Sequence, residues 1–199
     1  MMKRLARIGL VCLLALALAG CLFDTRDADP PANPGTGCGA TPLDDPLGIF
    51  QAMTCALETK QDAAYERAIS QNFLFSPTQQ DSLDQTFQGV AVYDGWDKSV
   101  EMDVLRLLLS NAQLLDVSFN PTVKINQTTY VRYEPVNYEL RVVNVSAPTD
   151  TIVYAGVARF DVRNEGGNWR LTFWDEIDTV PNHSTWGYLK GLLRLQLNP

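Results

Sequence analysis

TIVYAGVARFDVRNEGGNWRLTFWDEIDTV, residues 151–180, alternates in polarity on both sides of a glycine turn. Ile152, Tyr154, Ala158, Phe160 and Val162 share one face of the first half, with Gly156 in the same register. Asn164-Glu165-Gly166-Gly167-Asn168 forms the turn, after which Trp169, Leu171, Phe173 and Ile177 share a face and Trp174 takes the other. A period of two over this length predicts two long antiparallel strands, each with one buried face. A closing helix follows. Ser184 or Thr185 caps it, and Trp186, Leu189 and Leu193 line one side. Lys190 and Arg194 lie toward its end, where the helix dipole favours cations.

Upstream of this hairpin the pattern is first helical, then extended. Ile49, Phe50, Met53, Ala56 and Leu57 recur at helical spacing behind Pro46, which suits a first turn. A second short helix, opened by Asp62, buries Tyr65, Ala68 and Ile69, and Asn72 to Pro77 is extended. Thr78 to Gly89 is polar and reads as loop. A third helix with Asp94 as N-cap carries Trp96, Val100, Val104, Leu107 and Leu108 on one face. Leu115, Val117, Phe119, Val123 and Ile125 then alternate as a strand, and Pro121 within it argues for an edge. In the next strand Val131 and Tyr133 are odd whereas Val136, Tyr138, Leu140 and Val142 are even. One extra residue near Glu134-Pro135 restores the phase, as a β-bulge does, and bulges bend long strands. The expected class is α+β, with N-terminal helices packed in a strongly curved antiparallel sheet.

The ends of the chain carry its address. Lys3, Arg4 and Arg7 precede an apolar run from Ile8 to Ala19 and the sequence Leu18-Ala19-Gly20-Cys21. A basic start, a short apolar core and small residues before a cut describe a secretory signal peptide over residues 1–20. The cysteine behind the small residues resembles the lipobox of bacterial lipoproteins, which implies lipidation of Cys21 and cleavage before it. Leu22, rather than an aspartate, at the next position is similar to the sorting signal for the outer membrane. Residues 21–45 are rich in Pro, Gly and Asp with no apolar period and are expected to be a tether. Residues 46–199 are long enough for one domain with a proper core.

Loss of the three leader cations takes the 16 basic residues to 13 against 23 acids, a net charge of about −10. Such a chain is repelled by nucleic acid, which demands a basic footprint. The expected partners are therefore the membrane, through the lipid, and a small apolar ligand or an envelope protein. No nucleic acid, metal or cofactor is expected.

Ala64-Tyr65 followed by Asn72-Phe73-Leu74-Phe75, and the closing Trp169 to Glu176 with Thr185 to Gly191, carry a more specific resemblance. Helices followed by long curved strands, with these segments in these places, resemble the cone-shaped fold of nuclear-transport-factor-two-like proteins, also called SnoaL-like. The resemblance implies a cone able to hold a small ligand. It does not imply one activity, because the superfamily holds ketosteroid isomerases, dehydratases and binding modules alike.

Four residues are candidates for lining that cone: Tyr65, Tyr154, Phe173 and Asp175. Asp175 shares the Trp169 and Phe173 face, so it is either a carboxylate with raised pKa beside aromatic walls or a rim carboxylate at the end of the sheet. The isomerases' tyrosine-and-two-aspartate pattern is not matched, and no catalytic residue is assigned. His183, the only histidine, lies in a loop without a nucleophile motif. Cys38 and Cys55 are either two free thiols or a disulfide fastening the tether to the first helix. An oxidising compartment permits the disulfide. The leading expectation is an envelope-anchored, non-catalytic binding or interaction module. The alternatives are a small-molecule isomerase or dehydratase using a pocket carboxylate, and a structural role in envelope assembly.

Overall fold

A computed structural model of the chain describes Cys38 and residues 41–197. The signal peptide, Cys21 and most of the tether lie outside the described residues. The described part belongs to one compact unit running from Cys38 to Pro199. Packing thus begins earlier than Pro46. Leu43 is buried in the core, its carbonyl accepts from the Trp169 N–H, and Cys38 is joined to Cys55 by a disulfide.

Helix α1 (Gly48–Thr59) buries Ile49, Phe50, Ala52, Met53, Ala56 and Leu57, the stripe its spacing predicts. It ends at Lys60, whose left-handed backbone returns N–H groups to the last turn. Helix α2 (Asp62–Ala68) leads directly into strand β1 (Ile69–Ser76). The polar stretch after β1 is not plain loop. It holds one helical turn, Gln79–Ser82, and a 3-10 turn, Gln85–Phe87, and it buries Phe87. Helix α3 (Lys98–Asn111) is capped by Asp97, three residues after the expected cap Asp94. Gly95 adopts a left-handed φ of 62°, Trp96 turns into the core, and the Asp97 carboxylate accepts the Val100 N–H at 3.1 Å.

Strands β2 (Ala112–Gln127), β3 (Tyr130–Asn144), β4 (Thr151–Glu165) and β5 (Asn168–Thr179) follow as a meander, and helix α4 (Trp186–Leu197) closes the chain. The sheet order is β1-β5-β4-β3-β2, so β2 with Pro121 is an edge strand. All neighbours are antiparallel except β1 and β5, which run parallel. The bulge expected near Glu134-Pro135 is present, since Tyr133 pairs with Phe160 but Val136 pairs with Ala158. The result is a curved five-stranded sheet with helices on its concave side.

A second irregularity lies in β5. Asp161 pairs with Phe173 while Val162 pairs with Leu171, so Thr172 is extra. The inward face passes from Trp169 and Leu171 to Trp174 and Glu176, and Ile177 is exposed. A single extra residue moves the side chains that follow to the other face, up to Ile177, which is extra at a further shift where Val157 pairs with Asp178 and Ala158 with Glu176.

Candidate functional site

The bulge at Thr172 decides which carboxylate enters the cone. Asp175 and Phe173 face outward on the convex side. There Arg159 Nη2 meets Asp175 Oδ2 at 2.8 Å, and the same guanidinium lies 5.3 Å from the Phe173 ring centroid. Neither residue lines the cone, contrary to their expected face. Tyr65 is fully buried and Tyr154 nearly so, but they serve different surroundings. Tyr65 donates to Glu101, and Tyr154 sits where β4 bridges to Ser184. The four candidates do not converge. His183 is exposed in its loop.

Two other carboxylates occupy the interior. Glu176, 3 % exposed, accepts the Tyr138 hydroxyl at 2.7 Å and the Trp174 indole N–H at 3.0 Å. Tyr138 in turn accepts the Trp186 backbone N–H at 3.0 Å, so the first turn of α4 docks onto this pair. Tyr138 faces Gly156 across the sheet, where any Cβ would overlap the phenol oxygen. Here the strand needs glycine for room. Glu101 of α3 accepts Tyr65 at 2.7 Å and the Trp96 indole N–H at 2.8 Å. Its Oε1 also lies 3.0 Å from Lys190 Nζ, and that lysine is 1 % exposed. Lys190 is therefore not a solvated cation complementing a helix end. It points from α4 into the cone, over Trp174 and Phe75. Asp81 completes the cluster by accepting the Thr185 hydroxyl at 2.6 Å, and that hydroxyl caps α4 by accepting the Tyr188 N–H.

Burial sets the charges. Desolvation pushes Glu176 up to about 8, with Asp81 adding to the rise and Tyr138, Lys190 and Trp174 opposing it. The same burial pulls Lys190 down against the support of Glu101. Both buried phenols, Tyr65 and Tyr138, titrate well above the usual tyrosine range, first through desolvation and then through the carboxylate beside each.

Aromatic rings take up the remaining space. Phe50 stacks on Phe160 at 5.4 Å, Phe160 meets Trp174 at 4.7 Å, and Trp174 meets Trp186 edge-on at 4.8 Å. These contacts run from α1 through β4 and β5 to α4. A carboxyl poised near neutrality beside a phenol has the chemistry of an acid–base pair. In this conformation α4 covers it. The open depressions lie elsewhere. One of about 640 Å3 runs between α3 and α4, lined by Val100, Leu107 and Leu197 with Asp103 and Arg106. Among the described residues no His, Cys, Asp and Glu grouping could hold a metal ion.

No protein-family model matches the chain, and no curated protein sequence matches it. Solved structures do. A proposed aromatic ring hydroxylase from Novosphingobium aromaticivorans superposes with a TM-score of 0.55 at 14 % identity, over 74 % of this chain and 98 % of its own. A protein of unknown function from Mycobacterium tuberculosis gives 0.51 at 7 % identity, over 76 % and 84 %. The beta subunit of a proposed aromatic-ring-hydroxylating dioxygenase, also from N. aromaticivorans, gives 0.50 at 15 %, over 70 % and 90 %. The chain has the nuclear-transport-factor-two-like, or SnoaL-like, fold. At these identities the likeness concerns the fold alone.

Proposed function

We propose that this protein is a lipid-anchored domain of the bacterial cell envelope, held at the outer membrane through Cys21, that works as a non-catalytic interaction module through its surface. The observation that carries the reading is the filled cone: Trp174, Trp186, Phe160 and Lys190 occupy the space a small-molecule pocket would need. The lipobox sequence Leu18-Ala19-Gly20-Cys21 supports the anchor. Among the described residues no helix is long and apolar enough to cross a membrane. The groove between α3 and α4 is the surface feature best shaped for an envelope protein partner. Its Arg106 is already paired with Asp62, which leaves Val100, Leu107 and Leu197 to supply contact.

Cell fractionation of the wild-type chain and of Cys21→Ser tests the anchor. The wild type is expected in the membrane fraction with the added mass of a lipid, and Cys21→Ser in the soluble periplasm. Equal distribution of the two would refute it. The soluble Cys21→Ser chain, mixed with an environment-sensitive apolar dye, tests the filled cone. Strong dye binding that Trp186→Ala abolishes would place the dye inside the cone and count against a module that works by its surface alone. A second reading, acid–base catalysis on a small molecule, has one observation in its favour: Glu176 beside Tyr138 in a dry interior.

A further inference from the structure

Lys190 is held in an unusual way for a buried cation. Its ammonium lies 3.6 Å from the centroid of Trp174 and 4.1 Å from that of Phe75. Trp186 and Trp96 stand at 5.8 and 6.0 Å. The Glu101 carboxylate meets Nζ at 3.0 Å, and among the described residues no second polar group is placed to accept from it. Ring faces and one carboxylate therefore hold the ammonium, the combination by which aromatic cages recognise ammonium ligands.

The parts of this cage do not depend on the lysine. Phe75 belongs to β1, Trp174 to β5 and Trp96 to the turn before α3. Glu101 is fixed by Tyr65 and the Trp96 indole, whatever occupies the cage. Only Trp186 shares a helix with Lys190. Two glycines on α4 bring that helix close: a Cβ at Gly191 would overlap the Tyr93 hydroxyl, and one at Gly187 would press on Asp81 at 3.1 Å. The receptor thus sits on the sheet and α3, and its ligand arrives on α4.

We propose that this corner of the cone is a binding site for a primary alkylammonium ion, and that in the folded chain Lys190 fills it in cis. The site rests on the same filled cone as the surface role, but a failure of ammonium recognition alone would leave that role standing. Truncating Lys190 to alanine removes a fragment the size of n-propylammonium and leaves the cage around the space. Cavities made by truncation in rigid interiors bind molecules of the missing shape.

The test uses full-length Lys190→Ala, titrated with n-propylammonium chloride, with 1-propanol and with sodium chloride, and followed by melting temperature and tryptophan emission. The expected result is a lower melting temperature than wild type. n-Propylammonium should restore it saturably, with a shift in emission, whereas 1-propanol and salt leave it low. Wild type, with its cage filled, should not respond. Equal rescue by 1-propanol would mean an apolar void only. No rescue by any solute, or the same rise in wild type, would likewise overturn the proposal. Should Lys190→Ala not fold, Lys190→Met keeps an unbranched chain, one atom shorter, without the charge. It should melt well below wild type, and equal or greater stability would refute ammonium recognition. In Lys190→Ala combined with Glu101→Gln the preference for n-propylammonium over 1-propanol should fall several-fold.

Discussion

Replacing Glu176 by glutamine removes a titration while nearly preserving shape. In the folded chain the carboxyl sits at about 8, against 4.5 for the free group. Between those values the folded state keeps a proton that the unfolded chain has released. Stability therefore falls as pH rises, by up to ~1.4 kcal/mol per unit and on the order of 5 kcal/mol across the window. Below the window both states are protonated and the penalty is absent; above it both are ionised and the penalty is full. Lys190 acts the other way at higher pH. Its folded value is depressed below 10.5, so stability recovers as pH climbs toward that value. In Glu176→Gln the amide oxygen can still accept from Trp174 and the amide nitrogen can donate to Tyr138. At pH 5 the variant should lie within about 1.5 kcal/mol of wild type, the worth of a hydrogen bond. At pH 8 it should be the more stable of the two. Urea unfolding at pH 5, 6.5 and 8, followed by tryptophan fluorescence, measures the difference. A gap between variant and wild type that stays constant with pH would refute the burial and protonation assigned to Glu176.

Three further substitutions probe other parts of the account. Gly156→Ala would press the Tyr138 phenol off Glu176 and should cost about 1–3 kcal/mol, the range for overpacking a core, as read from chemical denaturation. Asp175→Ala breaks only the partly exposed pair with Arg159 on the convex face, and its cost should stay below about 1 kcal/mol with the pH profile unchanged. Cys55→Ser removes the disulfide to Cys38, 17 residues away, and should lower stability by roughly 2–4 kcal/mol in a comparison of melting curves. Wild type treated with reductant should then melt like the variant.

The two bulges show how far sequence reading reaches. In β3 the phase change between Tyr133 and Val136 is visible because apolar residues stand on both sides of it and Pro135 marks the spot. In β5 the same device falls at Thr172, between Leu171 and Phe173, where either phase gives an apolar face. Trp174 and the charged pair behind it were the only local sign that the face changes there. That one residue exchanged Asp175 for Glu176 inside the cone. The interior cluster was hidden for another reason. Lys190 stands four residues after Trp186 and Glu101 three before Val104, so period places both on the apolar faces of their helices; only their charge argued for solvent or a helix terminus, and each acquires its burial from partners far along the chain. Thr185 meets Asp81 across 104 residues, and Tyr138 meets Glu176 across 38. Periodicity reports a face, but not what that face meets. The early start of packing at Leu43 escaped similarly, because a proline- and glycine-rich composition conceals a buried leucine, whereas the Cys38–Cys55 disulfide was one of the two states the cysteines left open, and it is the one present.

The account turns on a cone closed from within by its own lysine and rings. Ring currents read this directly, because a methylene beside a tryptophan face is shifted far upfield. Lysine-labelled full-length protein, with Lys190→Arg to assign the signal, should show one lysine whose ε-methylene resonance lies well upfield of the rest and whose ammonium protons exchange slowly with solvent. A Lys190 resonance coincident with that of the exposed Lys124 would contradict the closed cone and return the interior to the role of an open pocket.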